Sequence, residues 1–200
     1  NRTGNKPSQT SKTPRRPRVN QSSTSWRRPV SDHWIQTYSG RKFWPMSPRV
    51  EDVDLVDIAH ALSQKCRFTG HCSEFWSVAN HSITVSDECS QKNKLIALMH
   101  DAAEAYMPDV ASPIKSLLPD LVEMESRIWK CISERFGLPF EIPTEVKNIE
   151  LLVLDSERRR FMSPSKHDWG LPFGRFVKLD QKPAHQAKTQ FIRMFTALQP

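Results

Sequence analysis

Leu95-Ile96-Ala97-Leu98-Met99-His100-Asp101-Ala102-Ala103-Glu104-Ala105-Tyr106 is the stretch on which the reading of this chain turns. Its apolar residues Leu95, Leu98, Met99, Ala102 and Tyr106 recur at three- and four-residue steps, as a buried helical stripe does. Three ionisable groups, His100, Asp101 and Glu104, sit inside that stripe. On a continuous helix His100 and Glu104, four residues apart, stack on one face. Burying an imidazole and two carboxylates without partners is costly. A bound cation removes the cost, because imidazole nitrogen and carboxylate oxygen are both metal donors. Neighbours on a helix diverge by about 100°, so other elements must complete a ligand set begun by His100 and Asp101.

Working outward, His81 lies in Phe75-Trp76-Ser77-Val78-Ala79-Asn80-His81-Ser82-Ile83-Thr84-Val85, a second amphipathic stretch with Phe75, Val78, Ala79, Ser82 and Val85 on its inner side. Alone, His81 reads as a core histidine bonded to a carbonyl. Beside a His100-Asp101-x-x-Glu104 segment it reads as a metal ligand. Helical spacing extends over most of the chain, predicting helices at 54–64, 74–88, 93–106, 119–136, 144–162 and 183–198. Gly137 and Pro139 end the fourth of these, and Pro143-Thr144-Glu145 opens the fifth. Thr37 to Pro45 fits a short hairpin or an extended arm, and residues 163–182, rich in Pro and Gly, form a loop. Trp44 and Trp76 are expected in the core. The fold class is all-α, a compact helical bundle.

The net charge of +7 belongs to one end. Residues 1–31 hold eight Lys or Arg and no Asp or Glu, while acidic and basic groups nearly balance in residues 32–200. This argues against a nucleic-acid-binding body. Almost nothing apolar precedes Trp26, so the tail is expected to be disordered and solvated. Its phosphate-attracting charge also suits loose nucleic-acid contact, and its acid-free composition suits a targeting peptide. No apolar run is long enough for a membrane span. Cys66, Cys72, Cys89 and Cys131 lack Cys-x-x-Cys spacing and read as reduced, mostly buried thiols of an intracellular, cytoplasmic protein.

Several runs together resemble the HD-domain metal-dependent phosphohydrolases. They are Ile58-Ala59-His60-Ala61-Leu62-Ser63, Cys66-Arg67-Phe68-Thr69-Gly70-His71, Val78-Ala79-Asn80-His81-Ser82, and His100 through Asp109 followed by Pro113-Ile114-Lys115. The likeness covers residues 34–165 and is nearest to bacterial 5′-deoxynucleotidases and phage dATP triphosphohydrolases. It implies an HD-domain bundle over residues 32–200 and a divalent transition metal (Zn, Co or Mn) held by His81, His100 and Asp101. A second divalent ion can arrive with the substrate phosphates. The fourth ligand of the family is usually an Asp on a later helix, and here Glu150 stands in the matching place. Helix geometry favours it over Asp155: Val146, Glu150, Val153 and Glu157 share one side, with Ile149 and Phe161 flanking it, while Asp155 points the opposite way, toward Arg159 and solvent.

The resemblance further implies that Glu104 orients or deprotonates the attacking water and that Asp109 supports the water or the leaving group. Arg67 and Lys115 are the expected phosphate-binding cations, Arg67 through paired guanidinium donors. Phe68 is expected to pack on base or sugar, with Lys42 and His71 as helpers for a longer polyphosphate. The function implied is hydrolysis at the 5′ α-phosphorus of a purine deoxynucleotide, dATP being the leading substrate and deoxyadenosine the product. The alternatives are a 5′-deoxynucleotidase acting on monophosphates and a non-catalytic nucleotide-binding HD protein. A homo-oligomer is implied by resemblance alone, as is action in a bacterial or phage-infected cytoplasm.

Overall fold

The computed structural model describes residues 33–171 and 174–199. The basic tail of residues 1–31 lies outside them. The architecture is all-α. Helices α1 (Leu55–Gln64), α2 (Val78–Glu88), α3 (Lys94–Met99), α4 (Ser112–Lys115), α5 (Pro119–Phe136), α6 (Thr144–Phe161) and α7 (Ala184–Leu198) follow a two-stranded hairpin of β1 (Ile35–Gln36) and β2 (Lys42–Phe43). The hairpin pairs Ile35 with Phe43 and Gln36 with Lys42. Gly40, at φ +84°, makes its turn in a conformation that disfavours any Cβ. No described helix is long and apolar enough to cross a membrane.

Helix α2 is the axis of the bundle and packs against α1, α3, α6 and α7. Every residue from Val78 to Ser86 is buried, although half of them are polar. Local bonds make this tolerable: Ser82 Oγ donates to Val78 O and Thr84 Oγ1 to Asn80 O, one turn back in each case. Ser86 Oγ donates to Lys94 O at 2.8 Å and Asn80 Nδ2 to Lys182 O at 2.9 Å, tying α2 to α3 and to the segment before α7. Small side chains with satisfied polar groups let neighbouring helices approach closely. The apolar core is one contiguous cluster running from Phe43 to Phe195. Within it Phe43 stacks on Tyr106 at 3.8 Å between ring centroids, and Trp76 on Phe161 at 4.8 Å.

Most element expectations hold, with informative departures. The second helix begins at Val78 and not at 74, because Ser77 caps it by accepting from Asn80 N at 3.1 Å. The preceding residues are extended, bridging Cys66 to Ser77. Phe75 therefore falls outside the helix and is 41% exposed, against the expected inner position. The helix expected over 93–106 ends at Met99 and tightens into a 3₁₀ turn over Ala102–Ala105. Glu104 N bonds Asp101 O and Tyr106 N bonds Ala103 O, both three-residue closures. Trp76 is fully buried as expected, Trp44 only half-buried. The cysteines are free thiols, but of the four only Cys89 is buried. Gly137 closes α5 at φ +64°.

Phe191 of α7 is fully buried in the core, and α7 packs along α1. Phe191→Ala should cost about 3–5 kcal/mol in urea unfolding, and a loss below about 1 kcal/mol would show that α7 does not seal the bundle.

Candidate metal centre

Two helices and a helix end deliver the donors. His81 comes from the middle of α2 and is fully buried. His100 follows α3 as its C-terminal cap residue. Glu150 comes from the central turn of α6. One ligand atom from each lies within 4.8 Å of the other two, a group that can hold a metal ion. Each imidazole is oriented through Nδ1. His81 Nδ1 bonds Glu157 Oε1 at 2.7 Å, and His100 Nδ1 bonds Ala97 O at 2.7 Å. The opposite nitrogens, Nε2 of His81 and Nε2 of His100, are buried and have no hydrogen-bond partner among the described residues.

His100 keeps helical dihedrals, and the chain departs from the helix at Asp101 as the two adjacent side chains reach one point. With Asp101 at φ −95°, ψ 10°, outside the helix, its carboxylate turns toward both imidazoles. Asp101 Oδ1 lies 3.4 Å from His100 Nε2 and Asp101 Oδ2 3.8 Å from His81 Nε2. An unbroken helix would have held the two side chains about 100° apart. Burial works against the Asp101 carboxylate, but His100, His81 and Arg67 outweigh it and hold its carboxyl below the usual range.

Glu104 sits in the 3₁₀ turn, buried, with Oε2 unpartnered. Burial first, then the charges of Asp101 and Asp109, push its carboxyl up to about 9. Asp109 is half-buried and also raised, by burial, with Arg67 opposing and Asp101 reinforcing the shift. Lys65 donates to the carbonyls of Glu104 and Met107, clamping this turn from α1's end.

Arg67 approaches from the loop after α1. Burial disfavours its charge, but Glu157 and Asp101 more than restore it and raise its pKa. Its Nε donates to Glu157 Oε2 at 3.0 Å, and Nη1 lies 3.8 Å from Asp101 Oδ2. The next two residues, Phe68 and Thr69, both take left-handed φ values of +55° and +54°. For a bulky and a β-branched residue this is strained, at about 1–3 kcal/mol each, and such strain gathers at functional sites. The Arg67 guanidinium lies 5.5 Å from the Phe68 ring centroid, and Trp169 meets that ring edge-on at 6.1 Å.

The expected residues are thus partly gathered. His81, His100 and Glu150 converge; Asp101 lies beside both imidazoles and Arg67 beside Asp101; Glu104 and Asp109 feel the charges of Asp101 and Arg67. Lys115 is felt by Asp101 and Glu104 and is itself paired with Glu125. Lys42 and His71 are exposed, Lys42 with its ammonium 4.6 Å from the Trp34 ring centroid, and no contact described joins either to the ligand group. Asp155, expected to point to solvent, is buried and paired with arginines. At 5% exposure it is held between Arg158 at 2.9 Å and Arg159 at 2.5 Å, because two long guanidinium arms close over it.

Sequence reasoning placed Glu157 on the inner face of its helix and gave it no task. It is 0% exposed and receives Trp76 Nε1 at 2.7 Å as well as His81 and Arg67. Burial raises its carboxyl, but Arg67 and His81 overcome this and hold it low. A signal existed: an acid seven residues after Glu150 on an apolar face needs buried partners.

Among proteins compared with this chain, the uncharacterized protein YfdR of Escherichia coli (strain K12) is 43% identical over 143 residues, which is 72% of this chain and 76% of that protein. An uncharacterized protein of Rhodobacter capsulatus is 32% identical over 124 residues, 57% of this chain and 63% of the relative. No family model matches the chain.

The raised Glu104 carboxyl carries a sign. Its folded pKa of about 9 exceeds its ordinary value of 4.5, so its contribution to stability is full below the latter and is lost as pH rises toward 9. The metal-free chain should melt at a lower temperature at pH 8 than at pH 6, and Glu104→Gln should flatten that dependence. An unchanged slope in the variant would show that Glu104 titrates normally.

Proposed function

This chain belongs to the family of the Escherichia coli protein YfdR, and we propose that it is an HD-type metal-dependent phosphohydrolase attacking the 5′ α-phosphorus of a purine deoxynucleotide. The leading substrate is dATP, cleaved with water to deoxyadenosine and triphosphate. One observation carries the reading: two buried, unpartnered imidazole nitrogens meet a carboxylate within 4.8 Å, near a largely enclosed arginine and the buried Glu104 carboxyl. In this reading His81, His100, Asp101 and Glu150 hold the ion. The donor set of two imidazoles and carboxylates suits Zn, Co or Mn. When bound, the ion supplies a Lewis acid and an activated water.

The chain's own residues do the rest. Glu104, whose buried Oε2 has no described partner, takes the proton of the attacking water in its ionised form, which a bound cation would favour by offsetting the acidic charges that raise its carboxyl. Arg67 is anchored through Nε, which leaves its remaining N–H groups for phosphate oxygens. Lys115 exchanges Glu125 for the distal phosphates of a triphosphate, alongside a second divalent ion brought by the substrate. Asp109 protonates or steadies the leaving group, and Phe68 packs against base or sugar. The purine and deoxyribose preferences rest on the resemblance to the HD nucleotidases. The reading places the protein with its substrate in the cytoplasm of a bacterium or a phage-infected host. Ile114, Leu117, Leu118 and Val122, exposed on and beside α4, suit contact with a second copy of the chain.

Incubation with dATP and with dAMP, each with Mn²⁺, Co²⁺ or Zn²⁺, should release triphosphate and deoxyadenosine from dATP. Glu104→Gln should lower kcat by about 10²–10⁴ with metal content intact. Release of inorganic phosphate from dAMP alone would make the protein a 5′-deoxynucleotidase. No release from either nucleotide with any of the three metals would overturn the hydrolase reading.

A further inference from the structure

Among the described residues, Glu157 is a buried charge bonded to His81 that the mechanism leaves without a task. It lies at the end of the α6 stripe begun by Val146, fully enclosed. Three groups converge on its two oxygens. Oε1 is 2.7 Å from both Trp76 Nε1 and His81 Nδ1, and Oε2 is 3.0 Å from Arg67 Nε. An indole N–H and a guanidinium N–H can only donate. The carboxylate therefore acts as acceptor on both oxygens, and His81 Nδ1 must donate to it as well. This fixes the imidazole tautomer: the proton sits on Nδ1, and the lone pair sits on Nε2, the atom left unpartnered and facing the ligand group.

The same carboxylate decides how Arg67 stands. With Nε committed to Oε2, the guanidinium plane is set, and Nη1 is brought to 3.8 Å from Asp101 Oδ2. The strained Phe68–Thr69 backbone that follows holds the arm from its other end. We propose that Glu157 is a positioning residue that couples the two halves of the site, holding His81 in its metal-ligating tautomer through one oxygen and aiming Arg67 at the substrate phosphate through the other. The inference rests on the metal-centre reading above. It adds that metal affinity and phosphate affinity are set together by a residue that touches neither.

The test uses the full chain and three variants. Glu157→Gln keeps the size but replaces one acceptor by a donor. It should weaken Mn²⁺ or Zn²⁺ binding, measured by chelator competition, about 10–100-fold, in line with the loss of an outer-shell partner. It should also weaken inorganic phosphate binding to the metal-saturated chain. Arg67→Met should lose phosphate and keep the metal, and Trp76→Phe, which removes the third donor together with some core volume, should keep both. In the metal-free wild type, ¹⁵N NMR of the histidine rings should show His81 protonated at Nδ1, and Glu157→Gln should shift the proton toward Nε2. A merely structural Glu157 would lower the melting temperature and leave metal affinity unchanged, which overturns the proposal, as does a wild-type His81 protonated at Nε2. Should Glu157→Gln fail to fold, the wild-type spectrum and Glu157→Asp, expected to weaken both affinities, decide the matter. None of these readouts requires turnover, so they stand apart from failure of the hydrolase reading.

Discussion

Two buried imidazole nitrogens, Nε2 of His81 and Nε2 of His100, have no hydrogen-bond partner among the described residues. Leaving buried lone pairs unsatisfied is expensive in any fold, and here each imidazole is pinned from behind so that it cannot rotate to find a partner. Glu157 does this for His81 and the Ala97 carbonyl for His100. Much of the bundle serves this arrangement. Helix α2 is lined with small, locally satisfied polar groups, so that α3 and α6 can both come close to His81. The chain leaves helical geometry at Asp101, whose carboxylate lies near both imidazoles.

The charges around this place alternate. Arg67 and the imidazoles favour the ionised forms of Asp101 and Glu157, while burial and the charges of Asp101 and Asp109 push Glu104 toward its neutral form. Without an ion the cluster is electrostatically lopsided: acidic groups crowd each other and one carboxyl keeps its proton. A divalent cation corrects both the unmet lone pairs and the repulsion. The strain stored at Phe68 and Thr69 belongs to the same economy, since it holds the arginine that balances the acids.

The helices were legible because their signals are local: Gly137 and Pro143 mark boundaries through backbone chemistry that needs no tertiary context. The choice of Glu150 over Asp155 was also legible, since one helix face is fixed by about 100° per residue. What escaped was non-local. Nothing in the 93–106 stretch announces that it tightens at Asp101, because it holds neither Gly nor Pro and most of its residues are good helix formers. Asp155 was read as solvated, since guanidinium arms folding over a carboxylate leave no periodic trace. The same limit hid Glu157, whose partners Trp76 and His81 come from a segment more than seventy residues earlier. Phe75 was misplaced when a strand-like bridge displaced the expected helix start.

The central claim is that His81 and His100 share one cation. Loading the purified chain with Co²⁺ and recording its visible absorption and X-ray absorption fine structure tests it directly. The account predicts one ion per chain with two imidazole nitrogens and oxygen donors in its first shell, lost in the double variant His81→Ala/His100→Ala. Failure to bind a stoichiometric ion, or an unchanged spectrum in that variant, would contradict it.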